Sequence, residues 1–382
     1  MISKIFSLIF SLIIPRCSTL LVFGDRSGNK FSENSRYLFQ YMSKYSNKNC
    51  VWLTKKKEIC NILKKSGYKC YLNYSLRGLY FGFRAKWHIF NYSPNDTSNF
   101  SSMGANHLNL WTGFQIKKLS KFREKNLFFL INCFVNLLSK NRYFLYPDIS
   151  HFKNIENHYK KGHYKLLETN FPKQIIYKKK NSHFLLGKEK KILRNINNIK
   201  GKVIGYFPTW REDGSEFNQF YENKSLLLRL NTLLKKNKSF VVIKQHSTSH
   251  ENNYDFFNKT ELSQFIFLDY DFDLNIILKR CDLIVSDFSG IIFDYLYFDK
   301  QIILSLNDVT KYTKRPGLTI DYDKFNIGYK IYNFNQFYNK IKNFLELKLI
   351  DKYKAKRIIY KKKIYKENKN FVKDIIKTLN EA

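Results

Sequence analysis

The stretch Cys281-Asp-Leu-Ile-Val-Ser-Asp-Phe-Ser-Gly-Ile-Ile-Phe-Asp294 spaces its polar residues as a phosphate-binding turn would. Leu283 to Val285 has the length and apolarity of a buried strand, and Ile291, Ile292, Tyr295 and Leu296 recur at helical spacing. Between them lies the polar turn Ser286-Asp287-Phe288-Ser289-Gly290. A strand that turns into a helix in this way aims the free N–H groups of the first helical turn at an anion, with the helix dipole behind them. Ser289 is placed to cap the helix, and Gly290 lets a ligand come close to the backbone. Asp294, one turn further in, suits ribose hydroxyls. An ordinary capped helix of an α/β domain fits the same local pattern, so the neighbouring clusters decide.

Three such clusters stand at predicted strand ends. Tyr206-Phe-Pro-Thr-Trp-Arg211 follows one strand, Lys244-Gln-His246 follows Phe240 to Ile243, and Phe272-Asp273 precedes the helix leading to the first motif. In a doubly wound sheet these ends converge on one edge. Arg211, Lys244, His246 and the Ser289 turn then offer a guanidinium, an ammonium, an imidazole and a helix N-terminus, a set suited to a pyrophosphate.

The elements that must position them alternate. Strands are expected at Leu20 to Phe23, Cys50 to Leu53, Lys69 to Leu72, Trp87 to Phe90 and Leu108 to Trp111, with helices near Asn34 to Ser43 and Glu58 to Ser66. A Lys/Asn-rich stretch, 177–200, reads as a basic linker. The alternation then restarts with strands at Lys202 to Tyr206, Phe240 to Lys244, Phe265 to Leu268, Leu283 to Val285 and Ile302 to Leu306, and helices near Lys224 to Lys235, Leu274 to Lys279 and Ile291 to Tyr297. The spacing predicts an α/β protein of two Rossmann-like doubly wound domains facing a cleft, 16–176 and 201–340, with a basic helical tail over 341–382.

The 382 residues exceed one ordinary core, and 44% hydrophobic content excludes disorder as the default state. A formal net charge of +36 favours polyanions or anionic surfaces as partners. No zinc-finger, RNP or helix-turn-helix pattern accompanies that charge, so a membrane leaflet or phosphate-bearing polymer is preferred to nucleic acid. Six scattered cysteines without Cys-x-x-Cys spacing read as reduced thiols, with no metal site and no cofactor. At the N-terminus, Ile5 to Ile14 is too short to span a bilayer and lacks a cleavage site. Residues 1–15 are expected to lie on the membrane or on the protein as an apolar helix flanked by Lys4 and Arg16, at the cytoplasmic face.

The clusters together resemble the CDP-glycerol glycerophosphotransferase family, enzymes of teichoic-acid-type polymer synthesis. Gly205-Tyr-Phe-Pro-Thr-Trp-Arg211 is similar to the family's (Y/A)PTWR, Ile243-Lys-Gln-His246 to K-x-H-P, and Asp282 to Asp294 to D-x-L-I-T-D-Y-S-S-x-x-F-D. Lys300-Gln-Ile-Ile303 is similar to K-P-I-I, Leu110-Trp-Thr-Gly-Phe-Gln-Ile-Lys117 to L-W-H-G-x-P-x-K, and Glu168-Thr-Asn-Phe-Pro-Lys173 to the G-Y-P-R segment. Gly24 to Arg36, which contains Asp25, resembles the loop before the first helix. The resemblance covers residues 1 to about 330. It implies a GT-B-type fold and transfer of a polyol phosphate from a CDP-activated donor to an acceptor hydroxyl of teichoic acid, capsule or lipo-oligosaccharide, with CMP leaving. It further implies that His246, Ser289 and Gly290 hold the diphosphate, with Arg211, Lys244 and Asp287 at the same site and Asp294 on the ribose. The family's L-W-H-G histidine, its general base, is Thr112 here, followed by Gly113. A threonine hydroxyl cannot act as a base near neutral pH, and Asp25 and His107 are the substitutes by position. The second serine of D-Y-S-S is Gly290, the proline of K-x-H-P is Ser247, and the arginine of G-Y-P-R is Lys173. Two other functions stay open: a nucleotide-sugar glycosyltransferase of the same fold, and a non-enzymatic basic protein.

Overall fold

Short apolar runs bounded by polar turns build two all-parallel sheets. The computed structural model describes residues 9–11, 13–118, 141–156, 164–178, 184–209, 211, 215–244, 262–366 and 370–381. The first sheet contains β1 (Cys17–Phe23), β2 (Asn49–Thr54), β3 (Cys70–Leu72), β4 (Ala85–Phe90), β5 (Asn106–Asn109), β6 (Arg142–Leu145) and β7 (Lys165–Leu167), in the order β3-β2-β1-β4-β5-β6-β7. The second contains β8 (Val203–Phe207), β9 (Phe240–Lys244), β10 (Phe265–Leu268), β11 (Leu283–Ser286), β12 (Gln301–Ser305) and β13 (Tyr329–Ile331), in the order β10-β9-β8-β11-β12-β13. Both orders reverse once, between β1 and β4 and between β8 and β11. In open α/β sheets that reversal opens a crevice at the strands' carboxyl ends, where ligands bind.

Parallel strands covered on both faces should be apolar throughout rather than alternating. Leu20 to Phe23, Val51 to Leu53 and Leu283 to Val285 are fully buried or nearly so, in keeping with that rule. One face of the second sheet packs Tyr206, Val285 and Ile303 against Leu227, Leu230 and Leu234 of the helix Lys224–Lys236. Phe334, Phe337 and Ile341 of the helix Phe334–Leu345 complete that layer, at the i, i+3, i+7 spacing that gives a helix one apolar face.

The chain divides into one unit of 1–112, 119–187 and 364–382 and another of 113–118 and 188–363. This departs from the expected boundaries in three places. The stretch 177–200 contains the helix Glu189–Asn197, whose Ile196 is buried, so it is structured where a bare linker was expected. The expected tail is divided: Lys354–Ile364 lies almost wholly in the second unit, while Phe371–Glu381 returns to the first. Its Leu379 carbonyl accepts the Trp87 indole N–H at 3.1 Å, its Asp374 accepts the Thr169 hydroxyl at 3.0 Å, and Phe371, Val372 and Ile375 are buried. Finally, residues 113–118 leave the first unit for the second.

Smaller expectations also shift. The fifth strand ends at Asn109 because Trp111 takes a left-handed backbone (φ 51°). Only a 3-10 turn, Leu274–Ile276, forms where a helix to Lys279 was expected, with Asp273 accepting the Asn275 amide. At the N-terminus, Phe10 packs on Phe83 with ring centroids 5.6 Å apart, while Ile13 is 71% exposed. Arg16 fastens this segment through hydrogen bonds to the carbonyls of Gly82, Ala85, Ser101 and Met103. No helix among the described residues is long and apolar enough to cross a membrane. Of the cysteines, the five in described residues are free, and Cys133 lies outside them.

Candidate functional site

The second sheet's reversal point is framed by the turn after β8 and the turn after β11. Register sets these two turns side by side: Ser286 pairs with Phe207, and the Ser286 hydroxyl donates to the Phe207 carbonyl at 2.7 Å. Asp287 then reaches across. Its Oδ1 accepts the Thr209 amide at 2.8 Å, the Thr209 hydroxyl at 2.6 Å and the Phe288 amide at 2.6 Å, while Oδ2 accepts Nη2 of Arg211 at 2.7 Å. Arg211 also binds Asp308, through Nε at 2.7 Å and Nη2 at 3.0 Å, and donates Nη1 to the Thr209 carbonyl. The guanidinium stands 4.5 Å from the Tyr312 ring centroid. Burial by itself would lower the Arg211 pKa, but Asp287 and Asp308 more than reverse this, and the group is held firmly charged. Arg211 and Asp287, both expected to touch substrate, are thus bonded to each other, to Asp308 and to the backbone of the two turns.

Ser289 and Gly290 stand at the start of the helix Ile291–Leu296, and the capping position is Gly290 rather than Ser289. The Ser289 hydroxyl accepts the Ile291 amide at 3.4 Å. A Cβ on Gly290 would stand 2.5 Å from the Phe114 carbonyl oxygen, so the close backbone approach this glycine allows is made by the protein's own 113–118 segment. Asp294 is 4% exposed in the same helix. Lys244 closes β9 and is half-buried, and His246, with Trp210 and Ser247, lies outside the described residues.

The 113–118 segment also brings Lys117 into this unit. The Lys118 amide donates to the Gly317 carbonyl, the Thr319 amide donates to the Ile116 carbonyl at 2.7 Å, and Lys117 pairs with Leu318 in an antiparallel bridge. Sequence adjacency had assigned this lysine to the N-terminal half.

The first sheet's reversal point carries a second network. Asp25 follows β1 and is completely buried; its carboxylate accepts the Ser32 hydroxyl at 2.6 Å and the Asn91 side-chain amide at 2.9 Å. Asp96, after β4, accepts the amides of Ser27 and Tyr92, both at 2.8 Å, and that of Asn91 at 3.2 Å. Gly24 permits this meeting of loops, since a Cβ there would fall 2.1 Å from the Asp96 carbonyl oxygen. Burial raises both carboxyls, and the Asp96 charge raises Asp25 further, to about 6. Asp25, the expected substitute base, lies beneath the surface. Asp96 went unread in the sequence, although Ser93-Pro-Asn-Asp96 carries the S-x-x-D capping-box spacing that the structure forms.

Thr112 and Gly113 follow the left-handed Trp111. Asn34 donates to the Leu110 and Trp111 carbonyls at 3.2 and 2.8 Å, and Lys173 donates to the Thr112 carbonyl at 2.6 Å. The Lys173 amide in turn donates to the Asn34 side chain at 3.1 Å. Asn34 lies in the Gly24 to Arg36 segment but was not singled out there, and Lys173 stood only as a departure from an arginine. His107, the other substitute base, is buried and shares a hydrogen bond with the Ser102 carbonyl at 3.0 Å. Among the described residues no group of histidine, cysteine or carboxylate side chains is arranged to hold a metal ion.

The chain is 25% identical over 357 residues to a teichoic acid poly(glycerol phosphate) polymerase of Bacillus spizizenii, covering 84% of this chain and 83% of that one. It is 24% identical over 324 residues to a teichoic acid glycerol-phosphate transferase of Staphylococcus aureus, covering 80% and 78%. In fold it matches the structure of the wall teichoic acid polymerase TagF with a TM-score of 0.72 at 17% identity, over 99% of this chain and 94% of that one, which makes the two parallel α/β units GT-B in type. Residues 8–379 match the family described as CDP-Glycerol:Poly(glycerophosphate) glycerophosphotransferase, and the chain belongs to that family.

Proposed function

We propose that this chain transfers glycerol phosphate, or a closely similar polyol phosphate, from a CDP-activated donor to a hydroxyl of a polyol-phosphate acceptor, releasing CMP, in teichoic-acid-type polymer synthesis. Family membership supports the reaction class. The observation that carries the reading is that the family motifs Thr209–Arg211 and Asp287–Ser289 flank the reversal point of the second sheet, locked together by the Arg211–Asp287 pair. The second unit then binds the donor: Lys244, His246 and the Ser289–Gly290 turn hold the diphosphate and Asp294 the ribose, while Arg211 and Asp287 keep the turns in place. The first unit binds the acceptor, near Thr112.

The attacking hydroxyl forms its bond to the donor's distal phosphorus as the bond to the CMP oxygen breaks. Such transfers pass through a loose transition state in which positioning and electrostatic stabilisation do most of the work. This makes Thr112 intelligible: the hydroxyl's proton need not leave before the P–O bond forms, so a missing base slows the step without forbidding it.

We place the enzyme peripherally at the cytoplasmic membrane face, where a lipid-linked acceptor would lie. The exposed Ile13 and Leu76 and the net charge of +36 support this.

The test is CMP release from CDP-glycerol, CDP-ribitol and UDP-sugars with a glycerol-phosphate oligomer as acceptor. CMP from a CDP-polyol and no release from UDP-sugars is expected. UDP release alone would establish the glycosyltransferase alternative.

A further inference from the structure

Lys117 is a half-buried cation of the second unit with no ion pair among the described residues. Its backbone is fixed by the antiparallel bridge to Leu318 and by the flanking hydrogen bonds of Ile116 and Lys118. Its ammonium lies 6.0 Å from the Tyr312 ring centroid, the same ring that Arg211 approaches at 4.5 Å. The two cations differ in their partners. Arg211 is bonded to Asp287, Asp308 and the Thr209 carbonyl, whereas the Lys117 ammonium makes no ion pair or hydrogen bond among the described residues. Burial lowers its pKa, and Asp287 opposes this without contacting it. A cation drawn partly out of water without a counter-ion is costly, unless an anion arrives to share the site.

We propose that Lys117 is a direct ligand of the donor's diphosphate, with Arg211 as the strut that fixes the turns and Lys117 as the cation that meets the phosphate. This rests on the reading that the donor binds at the second sheet's reversal point. A strictly structural Lys117, balancing the surplus negative charge of Asp287 and Asp308, is the competing account.

The experiment titrates the full chain and its Lys117→Met and Lys117→Arg variants with CDP, CMP and cytidine, alongside thermal midpoints. Lys117→Met should bind CDP about 10- to 100-fold more weakly, as expected for one charge-assisted phosphate contact. Its affinity for cytidine should be unchanged, and Lys117→Arg should retain most of the CDP affinity. In the wild-type chain, CDP and inorganic pyrophosphate, but not cytidine, should protect Lys117 from amine acylation, read peptide by peptide by mass spectrometry; this arm needs no variant to fold. Equal CDP binding by wild type and Lys117→Met, a parallel loss of CDP and cytidine affinity, or acylation of Lys117 unaffected by CDP would each overturn the proposal while leaving the donor reading in place. A wild-type chain that binds no CDP would overturn both.

Discussion

Arg211 and Asp287 meet at 2.7 Å across the point where the second sheet reverses its strand order, with side chains only 7% and 4% exposed. A buried pair of this kind contributes mainly through what its loss leaves behind. Arg211→Ala would strand Asp287 and Asp308, and removing one partner of a buried pair costs about 3–5 kcal/mol. Urea denaturation should show that loss. Arg211→Lys should recover little of it, because one ammonium cannot reproduce the paired N–H groups that reach both carboxylates. Near-wild-type stability in either variant would mean that the turns are fixed by other contacts.

Gly290 offers a steric test. Gly290→Ala puts a methyl group 2.5 Å from the Phe114 carbonyl oxygen, although its φ of −59° is open to any residue. The 113–118 segment must move aside, at about 1–3 kcal/mol of stability. Restoring the family's serine, Gly290→Ser, should be at least as costly. An unchanged thermal midpoint in both would show that the segment yields freely.

The buried Asp25 makes stability depend on pH. Its pKa is raised from 3.8 to about 6, chiefly by burial, so its contribution is complete below about pH 4 and lost as pH rises through 6. Asp25→Asn removes the titration but keeps a similar shape. The stability of the variant relative to wild type should therefore improve steadily from pH 4 to pH 7 in chemical denaturation. A difference that stays flat across that window would show that Asp25 does not titrate there.

Thr112→His tests the missing base. If proton removal limits the step, turnover measured as CMP release should rise by ~10²-fold, the lower range of general-base assistance. Unchanged turnover would mean that transfer is limited elsewhere, as a loose transition state allows. Lys173→Ala should lower turnover by releasing the Thr112 carbonyl while leaving donor binding intact.

Membrane attachment should be electrostatic and apolar together. Flotation with anionic liposomes is expected at low salt and should weaken as salt rises, and Ile13→Asp should reduce it further. Protein that remains in the dense fraction at low salt would refute a peripheral attachment.

Much of the fold was written in local pattern. Leu20 to Phe23 and Leu283 to Val285 announce themselves as buried strands because both their faces are covered. β6, β7 and β13 went unread because they are partly exposed and carry Arg142, Lys165 and Lys330, so no clean apolar run marks them. At the site, motif residues were legible as a set, but their wiring was not. Arg211 and Asp287 are 76 residues apart, and only the placement of β8 beside β11 joins them. Asp308 belongs to no motif, nothing in the Gly24 to Arg36 segment marks Asn34, and Lys117 sits in the unit opposite to the one its sequence neighbours suggest.

The helix Phe371–Glu381 gives the chain an order of assembly. It leaves the ribosome after residues 188–363, yet it supplies the carbonyl for Trp87 and the carboxylate for Thr169. Residues 188–363 of the second unit can therefore close during translation while the first unit waits, one apolar flank uncovered, for that helix. Damage to residues 371–381 would be felt in the unit whose first strands were made long before them.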